Sequence, residues 1–167
     1  MKVLYTEEQI AAAVRRTAVE IRACYGEDAE VTVLVLLNGA LWFAADLLRQ
    51  LPVGFQLQTV RLSSYGAARQ SNGCPQWLTA LPELRGRRVL VLDDVADSGL
   101  TLRDVCAAVQ DAGAMEVRTV VAVDKPGGRR VPFCPDFVAL TAGTDFLAGY
   151  GMDDAGLYRN LPYIVSL

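Results

Sequence analysis

The densest run of side chains able to do chemistry is Asp93-Asp94-Val95-Ala96-Asp97-Ser98-Gly99-Leu100-Thr101, directly after the apolar stretch Val89–Leu92. Two adjacent carboxylates at the end of a buried strand suit the hydroxyls of a sugar, or a divalent cation with oxygen ligands. Ser98 and Thr101 supply hydroxyl donors, and Gly99 lets the backbone come close to a phosphate. A helix starting there would add unpaired N–H groups and a favourable dipole for an anion. A ribose phosphate satisfies both ends of the segment. An ordinary strand–turn–helix, with Asp97 or Ser98 as N-cap, would use the same residues. The acidic run on a buried strand end weighs for function. The segment is neither a P-loop, since G-x-x-x-x-G-K-[ST] is absent, nor a G-x-G-x-x-G fingerprint.

Composition narrows the chemistry further. The chain has no histidine, which excludes Ser-His-Asp and Cys-His catalysis and every metal site that needs histidine. Acid–base work falls to carboxylates, Lys, Tyr or a terminus. Cys24, Cys74, Cys106 and Cys134 form no C-x-x-C pair and are expected to be reduced, mostly buried thiols in a cytosolic protein. Lys plus Arg is 16 against 19 for Asp plus Glu, so no basic nucleic-acid footprint is expected. The longest charge-free apolar stretch, Val31–Ala45, is broken by Asn38-Gly39 and falls short of the ~20 residues of a spanning helix. Met1–Thr6 runs straight into a charged, helix-like stretch, so no signal peptide is expected.

The elements that must position these residues alternate between strand and helix. Thr6-Glu7-Glu8-Gln9 reads as a capping box, followed by helical spacing at Ile10, Val14, Thr17, Ile21 and Cys24 and a stop at Gly26. Val31–Leu37 and Val89–Leu92 are apolar runs suited to strands buried on both faces. Asn38-Gly39 turns the chain into an apolar helix over Ala40–Gln50, and Phe55–Leu62 reads as a strand nearer the sheet edge. Tyr65–Ala80 reads as a long loop, of a length that usually carries function. Asp93–Thr101 is expected to be a turn and Leu102–Ala112 a helix. Val117–Val123 and Asp136–Leu140 follow as strands, and the chain is turn-rich and aromatic from Thr141. The pattern predicts an α/β fold, a parallel sheet flanked by helices on both faces. Ligands of such sheets sit at the carboxyl ends of the strands, here Asn38-Gly39, Asp93–Thr101 and Asp124-Lys125.

The segment from Val89 to Thr101 resembles the phosphoribosyl-diphosphate (PRPP) signature of the type I phosphoribosyltransferases. Other motifs are similar to those of one branch, the hypoxanthine-guanine phosphoribosyltransferases. They are Leu36–Ala40 with Phe43–Leu48, Val60–Tyr65, Lys125, Pro135–Val138, Asp145–Asp153 and Tyr158–Pro162. The resemblance runs from about Val31 to the end. It implies one domain over residues 1–167, a Rossmann-like type I phosphoribosyltransferase fold with a lid loop at about 65–80 and a C-terminal base-binding hood at about 141–167. It implies a Mg²⁺-dependent transfer of the 5-phosphoribosyl group from PRPP to a 6-oxopurine, giving the nucleoside monophosphate and pyrophosphate in purine salvage. The implied setting is a cytoplasmic homodimer or homotetramer with no membrane or nucleic-acid partner.

Roles follow by resemblance, residue by residue. Asp93 and Asp94 hold the ribose hydroxyls with Mg²⁺ nearby, and Ser98, Gly99, Leu100 and Thr101 hold the 5′-phosphate. Asp97 accepts a proton near N7 of the purine. Asn38, Gly39 and Arg159 bind pyrophosphate. Lys125 donates to the 6-oxo group, Phe146 stacks on the base, and the backbones of Leu147 and Asp153 complete its recognition. The Asp153 side chain is implied as a ligand of a second Mg²⁺, and Ser64 and Tyr65 open the lid. Trp42, Phe43 and Tyr158 are read as packing or subunit-contact residues. The resemblance also implies a cis peptide at Leu37–Asn38. This chain departs from the branch in having Asn38 where Lys is usual, Asp93 where Glu is usual, and a small Ala96. Three alternatives stay open: an RNA-binding regulator of pyrimidine genes on the same fold, a non-catalytic nucleotide sensor, and transfer to xanthine or a pyrimidine. The RNA reading would use the basic clusters Arg85–Arg88 and Arg129-Arg130. From the sequence, Gly99→Val is expected to impair PRPP binding with little loss of melting temperature.

Overall fold

Two hydrophobic clusters, one on each face of a sheet, organise the chain. The structure is a computed structural model and describes residues 1–63 and 76–167. The described strands are β1 (Lys2–Tyr5), β2 (Val31–Leu37), β3 (Phe55–Ser63), β4 (Gln76–Trp77), β5 (Arg88–Ala96), β6 (Glu116–Asp124), β7 (Phe137–Thr141), β8 (Leu147–Ala148) and β9 (Ile164–Ser166). The helices are α1 (Glu7–Tyr25), α2 (Leu41–Leu48) and α3 (Leu100–Asp111), with a short 3₁₀ turn at Pro126–Gly128. A six-stranded sheet has the order β4-β3-β2-β5-β6-β7, and a three-stranded sheet the order β1-β9-β8. In the larger sheet only β4 runs antiparallel. The expected parallel sheet with helices on both faces is what the chain forms.

The central strands are buried on both faces because their residues are apolar at successive positions, with Val31–Leu36 and Val89–Leu92 essentially inaccessible. Helix α1 presents Ile10, Val14 and Ile21 to one cluster, where Phe43 and Leu47 of α2 join it. Helix α3 closes the opposite face with Leu102, Val105 and Val109. Burying side chains of this size stabilises a fold by roughly 1.5–3 kcal/mol each. The capping box forms as expected: Thr6 Oγ1 accepts from Gln9 N–H, and Thr6 N–H donates to the Gln9 side chain.

Four expectations need correction. Strand β5 continues through Asp93 and Asp94 to Ala96, because β6 pairs with it as far as Ala96↔Asp124. The turn is therefore confined to Asp97–Gly99. Lys2–Tyr5 is a strand, paired antiparallel with β9. The long loop read over 65–80 holds the short strand β4, paired antiparallel with β3, and its stretch 65–75 lies outside the described residues. The cysteines are not mostly buried: Cys24 and Cys134 are exposed, and Cys106 is half-buried with a thiol that burial pushes up to about 11. Cys74 lies outside the described residues. Among the described residues, no helix is long and apolar enough to cross a membrane.

Candidate active site

Parallel pairing brings the carboxyl ends of β2, β3, β5 and β6 to one edge of the sheet, and the loops there carry the polar residues. The Leu37–Asn38 peptide after β2 is cis. The turn it begins reaches β5: a Cβ at Gly39 would lie 1.8 Å from Asp94 Oδ2. It also reaches the C-terminal segment, where a Cβ at Gly151 would lie 2.0 Å from the Gly39 carbonyl oxygen. Two glycines thus let three chain segments meet. Asn38, Gly39, Asp93, Asp94, Asp153 and Arg159 share one cavity of about 380 Å³, which Arg61 and Thr101 also line.

Arg159 is fixed from three sides. Its Nη2 meets Asp153 Oδ1 at 2.6 Å, and its Nη1 donates to the Gly151 carbonyl at 2.6 Å. Its own carbonyl accepts from Trp42 Nε1 at 2.6 Å. The second Asp153 oxygen accepts from Gly156 N–H at 2.7 Å. Arginine and carboxylate together therefore face the cavity, a fork of donors beside a potential cation ligand.

A smaller adjoining cavity of about 90 Å³ is lined by Asp97, Ser98, Gly99 and Thr101. Gly99 caps α3 in the left-handed region at φ 80°, and no side chain caps the helix. Only Leu100 N–H, of the first turn, turns to Ser98 Oγ at 3.3 Å. Helix N-termini left open in this way are anion sites. Asp97, expected as a possible cap, turns elsewhere. Its Oδ2 accepts from Lys125 Nζ at 3.0 Å. Lys125 is 6% exposed at the end of β6, and its backbone N–H donates to the Ala96 carbonyl at 2.9 Å.

Phe146 and Leu147 line neither cavity. Phe146 is 54% exposed. Leu147 is buried and held by the small sheet, opposite Ser166 of β9. Ser64 and Tyr65 lie outside the described residues. A separate cavity of about 570 Å³ between α1, α2 and Pro162 is lined by none of the expected site residues.

A family model described as a phosphoribosyl transferase domain matches residues 2–154. The chain belongs to the phosphoribosyltransferase family. It is 35% identical over 164 residues to the hypoxanthine-guanine phosphoribosyltransferase of Bacillus subtilis (strain 168), covering 98% of this chain and 91% of that one. It is 34% identical over 165 residues to the enzyme of the same name from Aquifex aeolicus (strain VF5), covering 98% of this chain and 93% of that one. Among solved structures, the hypoxanthine phosphoribosyltransferase of Staphylococcus aureus superposes with a TM-score of 0.93 at 27% identity, covering all of this chain and 91% of that one.

The acidic pair of this phosphoribosyltransferase is electrostatically poised. Asp93 is buried and Asp94 half-buried, and loss of water raises the pKa of both; for Asp93 the neighbouring Asp94 charge raises it further. Burial disfavours the ionised form, and a second like charge adds to this. Each carboxylate also accepts one backbone N–H, from Asp94 and Val95 respectively. Hydroxyl donors or a cation would relieve the pair.

Two residues near the site were not legible in the sequence as site elements. Trp42, read as packing or subunit contact, holds the backbone of Arg159. Arg129, read as part of a basic cluster, points inward and bonds to the loops around Asp97. Its neighbours in sequence give no sign of this. The only available hint was its position a few residues after Lys125.

Proposed function

We propose that this phosphoribosyltransferase is a purine salvage enzyme that moves the 5-phosphoribosyl group of PRPP to a 6-oxopurine, hypoxanthine or guanine, with release of pyrophosphate. The observation that carries the reading is the Lys125–Asp97 pair, 3.0 Å apart beside the small anion cavity. A 6-oxopurine presents an acceptor at O6 next to a protonated N7. Lys125 can only donate and Asp97 can accept, so the pair matches that edge. Adenine presents a donor where Lys125 also donates.

The other roles we assign by the resemblance, supported for Asn38, Gly39, Asp93, Asp94, Asp153 and Arg159 by their shared cavity. Ser98, Gly99, Leu100 and Thr101 bind the 5′-phosphate through amides and hydroxyls. Asp93 and Asp94 accept from the ribose hydroxyls, which the burial of the pair favours. Asn38, Gly39 and Arg159 hold the pyrophosphate, with Arg159 as the cation. Phe146 stacks on the base, and the backbones of Leu147 and Asp153 bond its edge. Ser64 and Tyr65 belong to a lid at about 65–80, and residues 141–167 form the hood of a single domain.

Among the described residues no three carboxylates or thiols converge as a metal cage. That fits Mg²⁺, which keeps waters and substrate phosphate oxygens and takes only one or two protein carboxylates. Asp93 and Asp94 would hold one Mg²⁺, partly through the ribose or water, and Asp153 a second. When bound, Mg²⁺ neutralises the leaving diphosphate. Asp97 takes the N7 proton as the purine nitrogen attacks the anomeric carbon and the bond to pyrophosphate breaks. The transition state is oxocarbenium-like, and the chain contributes positioning and fixed dipoles. The setting we propose is a cytoplasmic homodimer or homotetramer.

The test is pyrophosphate release from PRPP with each of six nucleobases, with Mg²⁺ and after its chelation. Turnover with 6-oxopurines that stops on chelation is the expected result. Turnover with pyrimidines alone would contradict the assignment.

A further inference from the structure

We propose that Arg129 is a positioning residue for base selection, holding the Asp97 and Lys125 loops in register so that carboxylate and ammonium meet the purine edge together. The inference rests on the 6-oxopurine reading of that pair. The side chain is 16% exposed and pairs with the Asp124 carboxylate, itself 14% exposed. Its Nη1 donates to the carbonyl oxygens of Ala96, Asp97 and Lys125 at 2.6, 2.7 and 3.3 Å, and its Nε to that of Phe133 at 2.9 Å. One guanidinium therefore bonds the backbone of both residues whose side chains form the selecting pair. Few side chains could do this. Arginine has a planar fork of five donors, whereas lysine presents three donors at one point.

The surrounding backbone is shaped to the same end. A Cβ at Gly128 would lie 1.7 Å from Asp97 Oδ1, so the residue before Arg129 must be glycine for Asp97 to sit where it does. The Arg130 N–H donates to the Ser98 carbonyl at 2.9 Å, continuing the clamp toward the anion cavity. Without the guanidinium, carbonyls of two loops lose their shared donor, and the bond from Lys125 N–H to the Ala96 carbonyl, at the strand ends, is left to tie the Asp97 and Lys125 loops.

The experiment compares kcat/KM for hypoxanthine and for adenine in wild type, Arg129→Met, Arg129→Lys, Lys125→Met and the Arg129→Lys, Lys125→Met double variant. Circular dichroism and melting temperature establish folding. Arg129→Met and Arg129→Lys are each expected to lower the hypoxanthine-to-adenine ratio by at least about tenfold, the scale of a lost hydrogen bond to a charged group. Arg129→Lys keeps the charge opposite Asp124, so its melting temperature returns toward wild type while its ratio stays low. In the Lys125→Met background, Arg129→Lys should lower the ratio no further, because both act on one contact. A folded Arg129 variant with the wild-type ratio, losses that multiply in the double variant, or failure of both single Arg129 variants to fold would overturn the proposal in favour of a purely structural arginine. A wild-type protein inactive with every 6-oxopurine would instead defeat the functional reading beneath it.

Discussion

Lys125 carries the most specific claim at the residue scale. Removing its ammonium while keeping the stem, as in Lys125→Met, should cut turnover with hypoxanthine and guanine far more than with adenine. An unpaired charged donor in a closed site costs about 1–3 kcal/mol or more, so wild type should disfavour adenine by at least ~tenfold to a hundredfold. Phe146→Leu should weaken all purines together, since a stacking face does not read the 6-substituent. Steady-state kinetics with the three bases separates the two effects. The acidic pair yields a stability prediction of definite sign. Burial raises Asp93 and Asp94 above the ordinary carboxylate range. The folded state then binds protons more tightly than the unfolded chain, and stability falls as pH rises from the ordinary value through the raised one. Asp93→Asn removes that penalty. Without Mg²⁺ and PRPP, its melting temperature at neutral pH should exceed wild type, by ~2–4 °C for each kcal/mol relieved, and the gain should shrink in acid. Its kcat/KM should drop. A melting temperature unchanged across that pH range would show that the pair is not a destabilising one.

At the scale of elements, the turn Asp97–Gly99 bears function and fold at once. Gly99 has φ 80°, and a Cβ there would approach Phe133 Cβ to 2.9 Å and Val131 Cγ2 to 3.2 Å. The expectation that Gly99→Val spares stability is therefore revised. A left-handed backbone alone costs an L-residue roughly 1–2 kcal/mol, and the overlap adds to it. Gly99→Val should lower the melting temperature measurably and raise KM for PRPP; a variant as stable as wild type would contradict this packing. The small sheet makes a second prediction. β1 is the outer strand against β9, which in turn holds β8 and Leu147. Deleting residues 1–5 should raise KM for the base about threefold to tenfold, a loss of ~0.6–1.4 kcal/mol, with less change for PRPP. The apolar runs of β2 and β5 and the capping box of α1 were legible because they depend on local pattern. β1 was not, because Lys2–Tyr5 becomes a strand only by pairing with residues at the far end of the chain. Asp93 and Asp94 read as turn residues because carboxylates are poor strand formers. Pairing with β6 overrides that preference. Arg129 was unreadable for a related reason: two of the four carbonyls it bonds, those of Ala96 and Asp97, come from another loop.

For the whole molecule, a net charge of -3 must be reconciled with a polyanionic substrate. The structure supports doing so locally, with open amides at the head of α3 and Arg159 facing the larger cavity beside Asp153. Asn38 stands where the branch usually has lysine, so in the proposed reading Arg159 carries more of the charge opposite pyrophosphate. Arg88 pairs with Glu116, Arg87 bonds Thr32 and Gln56, and Arg129 is turned inward. Three of the five arginines in the two basic clusters thus have partners within the chain. The most direct test of the account is a competition: protein, Mg²⁺ and PRPP incubated with equimolar hypoxanthine, guanine, xanthine, adenine, uracil and orotate, and the monophosphates identified by mass spectrometry. The account predicts that 6-oxopurine monophosphates make up nearly all the product. A product dominated by the adenine or a pyrimidine monophosphate, or PRPP left intact, would contradict it.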